Sequence, residues 1–147
     1  MTVPTTPTSS LPAVGIPGPD STASNAEFWS WLRRHELRVQ ACTSCGLTRT
    51  PAAEVCHGCY ELGSEWIPLK PVGRIFSWTR VWHGASDDLA GHTPYVVVMV
   101  EIDAHPDLPR VVGNLIGDLL EPVGIGDRVV GRFEDGTLLN WLRDEGR

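Results

Sequence analysis

The four cysteines of this chain are the residues whose spacing most clearly specifies chemistry. They form two pairs, Cys42-x-x-Cys45 and Cys56-x-x-Cys59, separated by ten residues. Each C-x-x-C turn presents two sulfurs to one point, and four thiolates at tetrahedral corners suit a soft divalent ion. The pattern predicts a structural metal site for zinc, with iron in a rubredoxin-like setting as the alternative. Because thiolates would fill all four positions, no open position is left for a catalytic water.

A disulfide framework is the competing interpretation of these cysteines. No export signal is expected, since the first positive charge is Arg33 and prolines interrupt the early apolar residues. The 88 residues after Cys59 contain no cysteine, whereas a disulfide scaffold tends to spread its cysteines along the chain. The sequence therefore favours a metal site over two disulfides. We expect glycine at Gly46 and Gly58 to let backbone amides turn toward the sulfurs.

The composition argues against two classes of protein. The 147 residues carry a formal net charge of −6 and only one lysine, Lys70, whereas nucleic-acid-binding modules present clustered cations. The longest purely apolar run, Val96 to Val100, is too short to cross a bilayer. We therefore expect a cytoplasmic protein with no membrane or nucleic-acid partner. Six tryptophans indicate a large buried area, an interface, or both.

The chain divides into a tail and two modules. Residues 1–24 hold five Pro, five Thr, four Ser and two Gly and are expected to form a disordered tail. Residues 25–70 are expected to form a helix and a rubredoxin-like zinc ribbon, and residues 71–147 a barrel. A capping box from Ser24 to Glu27 predicts that the helix runs to about Glu36. Its predicted apolar stripe comprises Phe28, Trp31, Leu32 and His35, with Trp29 outside it.

Alternating and apolar segments predict strands through the rest of the chain. Two short strands, from Leu37 and from Glu65 to Leu69, bracket the cysteine pairs. Five further strands are predicted at 74–83, 95–102, 110–115, 128–133 and 137–142, with a polar loop at 84–94, one helical turn at 117–121 and a hairpin turn at Asp135-Gly136. The predicted fold class is mainly β: an N-terminal helix, a zinc ribbon and a five-stranded OB-fold barrel of Greek-key type, with an open sandwich as the competitor.

Several segments, in this order, resemble a known family. They are Phe28-Trp29, Leu37 to Gly46, Cys56-His57-Gly58-Cys59, Glu65-Trp66, Gly73 to Thr79, Pro94 to Val98 and Ile125 to Val129. The family combines an acyl-CoA-associated zinc ribbon with an OB fold and has long been described as a domain of unknown function. The resemblance covers about residues 25–142. The chain departs from it at His57, Ala52-Ala53 and Leu139 to Leu142, where relatives often carry Cys-Pro, Pro-Arg and Phe-x-Pro-like patterns.

The resemblance implies an accessory subunit that does not catalyse a reaction by itself. Family members accompany thiolases, acyl-CoA aldolases of sterol side-chain degradation and archaeal hydroxymethylglutaryl-CoA synthases, and some pair with enoyl-CoA hydratases. The partner enzyme carries the catalytic residues. For this chain the resemblance implies a hetero-oligomer, with two copies of each subunit, that helps to form an acyl-CoA site. Steroid side-chain degradation is a plausible pathway on this basis.

The aromatic and basic residues supply candidates for contact with acyl-CoA or the partner. They are Phe28, Trp29, Arg74, Trp78, Arg80, Trp82 and His83. Phe76, Trp78 and Trp82 are predicted on one face of their strand, where they could line a slot for an acyl or pantetheine arm. An arginine such as Arg74 or Arg80 is expected near the CoA phosphates.

Two other functions compete with this hypothesis. His83, Asp87, Asp88 and His92 could form an acid–base cluster, but a solvated loop is the more common explanation of such residues. No free cysteine and no nucleophile-elbow motif accompany them. A single-stranded nucleic-acid-binding protein is the alternative, because ribbons and OB folds both occur in that class.

Overall fold

The computed structural model describes residues 25–103, 110–134 and 139–144, apart from the side chain of Asp88. Its elements are α1 (Ala26–Arg33), β1 (Leu37–Cys42), β2 (Thr48–Arg49), β3 (Ser64–Leu69), β4 (Val72–Val81), α2 (Asp87–Ala90), β5 (Tyr95–Ile102), β6 (Val111–Ile116), β7 (Arg128–Phe133) and β8 (Leu139–Arg143). The predicted fold class, mainly β with a leading helix, a cysteine cluster and a five-stranded barrel, is confirmed. The predicted tail at 1–24 and the Asp135-Gly136 turn lie outside the described residues.

Helix α1 buries a different stripe from the one that its periodicity predicts. Leu32 is buried, and Phe28 and Trp29 pack against the same core, although the periodicity places Trp29 outside. Trp31, predicted inside, is covered by the guanidinium of Arg38, which lies 3.8 Å from the ring centroid. The helix has only eight residues, so a small rotation about its axis exchanges which aromatic ring faces the core. Its N-cap is also displaced, to Asn25 from the predicted Ser24.

The ribbon is a three-stranded antiparallel sheet in the order β2-β1-β3. Strand β1 is central, and its register against β3 runs from Leu37 opposite Leu69 to Cys42 opposite Ser64. The sequence does not predict β2, because two residues are too few to show an alternating pattern. This sheet carries the cysteine turns at the end of β1 and before β3.

The barrel closes in the order β4-β5-β6-β8-β7, and β6 and β8 pair in parallel while the other neighbours are antiparallel. Alternate residues of β5 point inward and are fully buried, and Trp141 of β8 fills the middle. One buried cluster continues from this barrel core to Leu32 of α1 and Leu37 of β1. The helix, the ribbon and the barrel are therefore joined by continuous apolar packing.

A shift of register in β4 separates aromatic residues that the alternation places together. The pairing with β5 slips between Ile75, opposite Val100, and Trp78, opposite Val98. Both valines are buried, so Ile75 and Trp78 point into the barrel, whereas Phe76 is 45% exposed. The predicted common face of Phe76 and Trp78 is therefore wrong. A bulge inserts one extra residue and reverses the phase of every side chain after it, and alternation alone does not reveal this.

Two connections differ from their predictions. The predicted polar loop at 84–94 contains the short helix α2. The predicted helical turn at 117–121 is a non-helical turn in which Leu119 is buried. Both segments have only a few residues, and the N-cap Ser86 of α2 makes no side-chain capping bond, so local sequence decides little about their conformation.

Candidate metal centre and binding residues

The first cysteine turn wraps the backbone around the sulfur of Cys42. That sulfur accepts a hydrogen bond from the backbone N–H of Ser44 at 3.4 Å. The Cys42 carbonyl accepts from the N–H of Gly46 at 2.9 Å, and the Cys42 N–H donates to the Leu47 carbonyl at 2.9 Å. The sulfur, the carbonyl and the N–H of Cys42 therefore each form a hydrogen bond with a backbone group of its own turn.

The second cysteine turn repeats this arrangement at Cys56. Its sulfur accepts from the N–H of Gly58 at 3.4 Å. Its carbonyl accepts from the N–H of Tyr60 at 2.8 Å, and its own N–H donates to the Glu61 carbonyl at 3.0 Å. The two turns thus correspond residue by residue, with an offset of fourteen positions in sequence.

The four sulfurs are spaced as a tetrahedral thiolate site requires. All four lie within 4.8 Å of one another, and the Cys42–Cys59 and Cys45–Cys56 sulfur pairs are 3.6 Å apart. Zinc–sulfur bonds of about 2.3 Å at tetrahedral corners place the sulfurs about 3.8 Å apart. All four residues are free cysteines. The donor set and its spacing therefore fit a tetrahedrally coordinated metal ion.

The backbone and the neighbouring thiols perturb the acidity of these cysteines in opposite directions. Hydrogen bonds from the backbone N–H groups of Cys45 and Ser44 lower the pKa of Cys42 to about 6. The N–H groups of Cys59 and Gly58 likewise lower the pKa of Cys56. The N–H of Glu61 lowers the pKa of Cys59, but burial and the other three thiols outweigh it and raise that pKa to about 12.

These pKa shifts indicate that a bound cation has to stabilise negative charge on the sulfurs. Backbone N–H groups favour the thiolates of Cys42 and Cys56 by lowering their pKa values, whereas burial and the neighbouring thiols raise the pKa of Cys59 and favour its protonated form. A divalent cation among the four sulfurs reverses that effect and favours the thiolate of Cys59. Protons and metal therefore compete for the same sulfurs, and acid is expected to weaken binding.

Left-handed backbone occurs at the equivalent position of both turns, Gly46 (φ 75°) and Tyr60 (φ 63°). Glycine adopts this conformation without steric cost, whereas an L-residue pays about 1–2 kcal/mol. Gly58 does not have positive φ; a Cβ there would lie 2.9 Å from the Leu47 side chain, so packing explains this glycine. The predicted requirement is met at Gly58, whose N–H donates to the Cys56 sulfur where a Cβ would clash. At Gly46 the N–H donates to the Cys42 carbonyl, and the positive φ explains that glycine.

A pair of substitutions tests this equivalence. Gly46→Ala should destabilise the metal-loaded ribbon by about 1–2 kcal/mol through backbone strain alone, because its Cβ would meet nothing within 4 Å. Tyr60→Gly should stabilise it slightly, since Tyr60 is 80% exposed and loses little packing. Thermal unfolding of the zinc-loaded proteins measures both. Equal melting temperatures for all three proteins would show that the two turns carry no such strain.

Four of the seven predicted contact residues gather at the end of β4. Trp78 packs against the barrel core, and the guanidinium of Arg80 lies 5.5 Å from its ring centroid and 5.9 Å from that of Trp82. Arg80 also donates to the Glu121 carbonyl at 2.8 Å, which holds it at the barrel end. Trp82 is 56% exposed and His83 is exposed beside it. This end of the barrel therefore presents an indole and an imidazole to solvent, beside the half-buried guanidinium of Arg80.

The other three predicted contact residues lie elsewhere. Arg74 is exposed on β4 and donates to the Gly126 carbonyl at 3.2 Å. Phe28 packs edge-on against Trp29, with ring centroids 5.0 Å apart, and stacks on Trp66 of β3 at 6.4 Å. Phe28 and Trp29 thus fill the joint between the helix and the ribbon, and their surfaces are only partly exposed.

The loop residues do not form a connected acid–base group in the described part of the chain. His83 and Asp87 are exposed, His92 is half-buried, and no hydrogen bond or ion pair joins these three side chains there. Within the same described ranges, no helix is long and apolar enough to cross a membrane.

Two exposed apolar patches are not predicted by the sequence. At the ribbon tip, Val55 and Leu62 pair in an isolated bridge beside Tyr60, and all three are exposed. On the outside of the barrel, Met99 pairs with Val112 across β5 and β6, and both are exposed. Strand alternation predicts outward residues, but it does not distinguish a solvated face from one that a partner covers.

Comparisons with known proteins agree with this architecture. A family model for the ChsH2 C-terminal OB-fold domain matches residues 66–134. The α subunit of 3-oxo-4,17-pregnadiene-20-carboxyl-CoA hydratase from Mycobacterium tuberculosis is 28% identical over 130 residues, which are 86% of this chain and 40% of that relative. This chain therefore spans about two fifths of the curated relative.

Solved structures extend the similarity over the helix and the ribbon. A chain of the Ltp2-ChsH2(DUF35) aldolase superposes with a TM-score of 0.73 at 25% identity, covering 86% of this chain and 98% of that chain. A DUF35 protein of unknown function from Sulfolobus solfataricus has a TM-score of 0.60 at 15% identity, covering 84% and 87%, and shares the fold. The chain is thus similar in sequence and fold to members of the OB-fold family known as DUF35, in agreement with the resemblance.

Proposed function

We propose that this chain is the non-catalytic accessory subunit of a thiolase-like enzyme or acyl-CoA aldolase. The observation that carries the proposal is the superposition of 86% of this chain on 98% of the DUF35 chain of an aldolase, with a TM-score of 0.73. The similarity to a steroid acyl-CoA hydratase subunit covers 40% of that relative, so we assign no hydratase activity to these residues. A steroid-derived acyl-CoA is the proposed substrate class.

Zinc is the proposed ion of the ribbon. Cys42, Cys45, Cys56 and Cys59 would hold it, and the ion would supply folding free energy and no catalysis, because four thiolates complete its coordination. The reduced thiols suit the cytoplasm, where we place the protein. In this proposal the ribbon holds α1 against the barrel, so that one rigid unit docks on the partner.

The exposed end of β4 is the proposed contact for acyl-CoA or the partner. Trp82 offers a large amphipathic ring of the kind that anchors interfaces, and Arg80 beside it offers a cation for a phosphate or carboxylate. His83 adds a polar group at this end, and Arg74 is a separate proposed contact nearer the start of β4. Phe28 and Trp29 contribute by positioning the helix on the ribbon, since their rings pack there.

Co-expression with a thiolase-like protein from the same genomic neighbourhood tests the proposal. We expect a stable complex, with two copies of each subunit, that cleaves a steroid β-hydroxyacyl-CoA by a retro-aldol reaction. The isolated chain should show no aldolase, thiolase or hydratase turnover. Turnover by the pure chain without any partner would overturn the non-catalytic assignment.

A tryptophan variant locates the contact within this complex. Trp82→Ala should weaken binding of the partner or of acyl-CoA by about tenfold, because an exposed anchor is lost, while the melting temperature of the free chain stays nearly constant. Single-stranded oligonucleotide added at low salt should not bind, since the net charge is −6. Tight, salt-sensitive oligonucleotide binding would instead support the nucleic-acid-binding alternative.

A further inference from the structure

A buried arginine without a carboxylate partner lies in the ribbon. Arg49 of β2 is only 4% exposed. Its Nε donates to Oε1 of Gln40, and one terminal nitrogen donates to the Ala53 carbonyl at 2.9 Å. The other terminal nitrogen, Nη1, is buried without a hydrogen-bond partner, and no ion pair in the described ranges includes this residue. All contacts of the guanidinium are therefore with neutral groups.

Such an arrangement needs a compensating negative charge. An arginine keeps its charge when buried, because its pKa is far too high for it to release a proton in the folded protein. Burying an unpaired charge costs several kcal/mol, and neutral hydrogen bonds offset only part of that cost. The ribbon is too small to absorb such a loss in an apolar core.

The strand register places the backbone of Arg49 near that of Cys42, the first cysteine of the cluster. Arg49 is directly opposite Gln40, and Cys42 follows two residues further along β1. Paired residues and residues two apart on a strand share one face of a sheet. Arg49, Gln40 and Cys42 therefore share a face, and the strand spacings put the Cα atoms of Arg49 and Cys42 on the order of 8 Å apart.

A metal-loaded cluster would supply the missing charge. A divalent ion bound by four thiolates carries two net negative charges, and Cys42 of this cluster lies in the same small sheet as Arg49. At such a separation, opposite charges that are buried in protein still interact appreciably and are little screened by salt.

We propose that Arg49 is the buried counter-charge of the metal-loaded thiolate cluster, which it stabilises through its charge and not through its hydrogen bonds. This inference rests on the proposed metal occupancy of the ribbon. Arg49 acts as a positioning and charge-balancing residue and does not ligate the ion. Metal binding and burial of this arginine then stabilise each other, because the negative cluster and the positive guanidinium compensate each other's charge.

Zinc affinity measured against a chromophoric chelator tests the proposal. Arg49→Met, which keeps the volume but removes the charge, should raise the zinc dissociation constant about tenfold or more. Arg49→Lys, which keeps the charge but loses the bond to Ala53, should stay within about threefold. Arg132→Met is the matched control, since Arg132 is exposed on β7, and should bind zinc as the unaltered chain does.

A redox measurement separates charge from structural damage. In iron-loaded protein, reduction adds one negative charge to the cluster, so Arg49→Met should move the reduction potential to more negative values while Arg132→Met does not. If Arg49→Met fails to fold, the double variant Gln40→Met, Arg49→Met removes both hydrogen-bonding partners together and replaces them by apolar groups. Weaker zinc binding by that variant is again the expected result.

The outcomes distinguish this inference from the proposed function. An unaltered chain that binds no zinc would refute the proposed metal site itself. An unaltered chain that binds zinc, with Arg49→Met or the double variant binding it equally tightly, would overturn only the counter-charge assignment. An unchanged iron reduction potential in Arg49→Met would overturn it as well.

Discussion

Replacing Cys42 or Cys56 by serine is expected to abolish tight zinc binding and to unfold the ribbon. Both cysteines are buried, and each sulfur accepts a backbone hydrogen bond within its turn. A structural zinc site contributes about 10 kcal/mol or more to the folding of a small module, and loss of one thiolate removes a large part of it. The ribbon has no second source of stability of that size.

Circular dichroism on heating, together with zinc content by mass spectrometry, measures this effect. The matched control is Ser44→Ala, which lies in the same turn and contributes only its backbone N–H to the sulfur. It should keep its zinc and its melting temperature. Chelation of the unaltered chain should reproduce the serine variants, with the barrel strands retained because they close on themselves. A serine variant that keeps both zinc and melting temperature would contradict this explanation.

Trp141→Ala is expected to destabilise the barrel by about 3–5 kcal/mol. The Trp141 side chain is 0% exposed and lies in the centre of the buried cluster. Its ring packs against the backbone at Gly113, where an added Cβ would come within 2.8 Å of the indole nitrogen. Strand β6 cannot move in to fill the cavity without breaking its pairing with β8, so little of the loss can be recovered by collapse.

Urea unfolding of the zinc-loaded proteins measures this loss. Trp82→Ala is the matched control, because it removes the same side chain from a site that is 56% exposed, and it should cost less than about 1 kcal/mol. A similar free energy of unfolding for both variants would show that the barrel core is not packed around Trp141.

The cysteine pattern predicts the metal centre because the ligands of each pair are close together in the sequence. Two residues between the cysteines of each pair are enough to define a turn, and the structure brings all four sulfurs together. A near-continuous apolar run likewise predicts Tyr95–Ile102 with the bounds that the structure shows. These features depend on neighbours in sequence.

Other features depend on contacts that the sequence does not display. The bulge after Ile75 reverses the phase of β4, and only the pairing with β5 reveals it. Trp29 and Trp31 exchange places because packing against the barrel, and not periodicity, sets the rotation of α1. Nothing in the sequence indicates that Arg49 is buried, yet its guanidinium bonds to Gln40 and Ala53 once β2 pairs with β1.

The sequence also does not show which of the predicted contact residues are exposed. Trp78, Arg80, Trp82 and His83 follow one another along β4 and meet at one end of the barrel. Phe28 and Trp29 instead pack against each other and against the buried cluster, where they join the helix to the ribbon. Aromatic residues in a sequence therefore indicate burial or binding, and only their exposure in the fold separates the two.

Native mass spectrometry of this chain, co-expressed with its thiolase-like partner, tests the central claim most directly. We predict a complex in which every copy of this chain carries one zinc ion and four reduced cysteines. A chain detected without its partner, without metal and with its cysteines paired as disulfides would contradict both the metal centre and the accessory function.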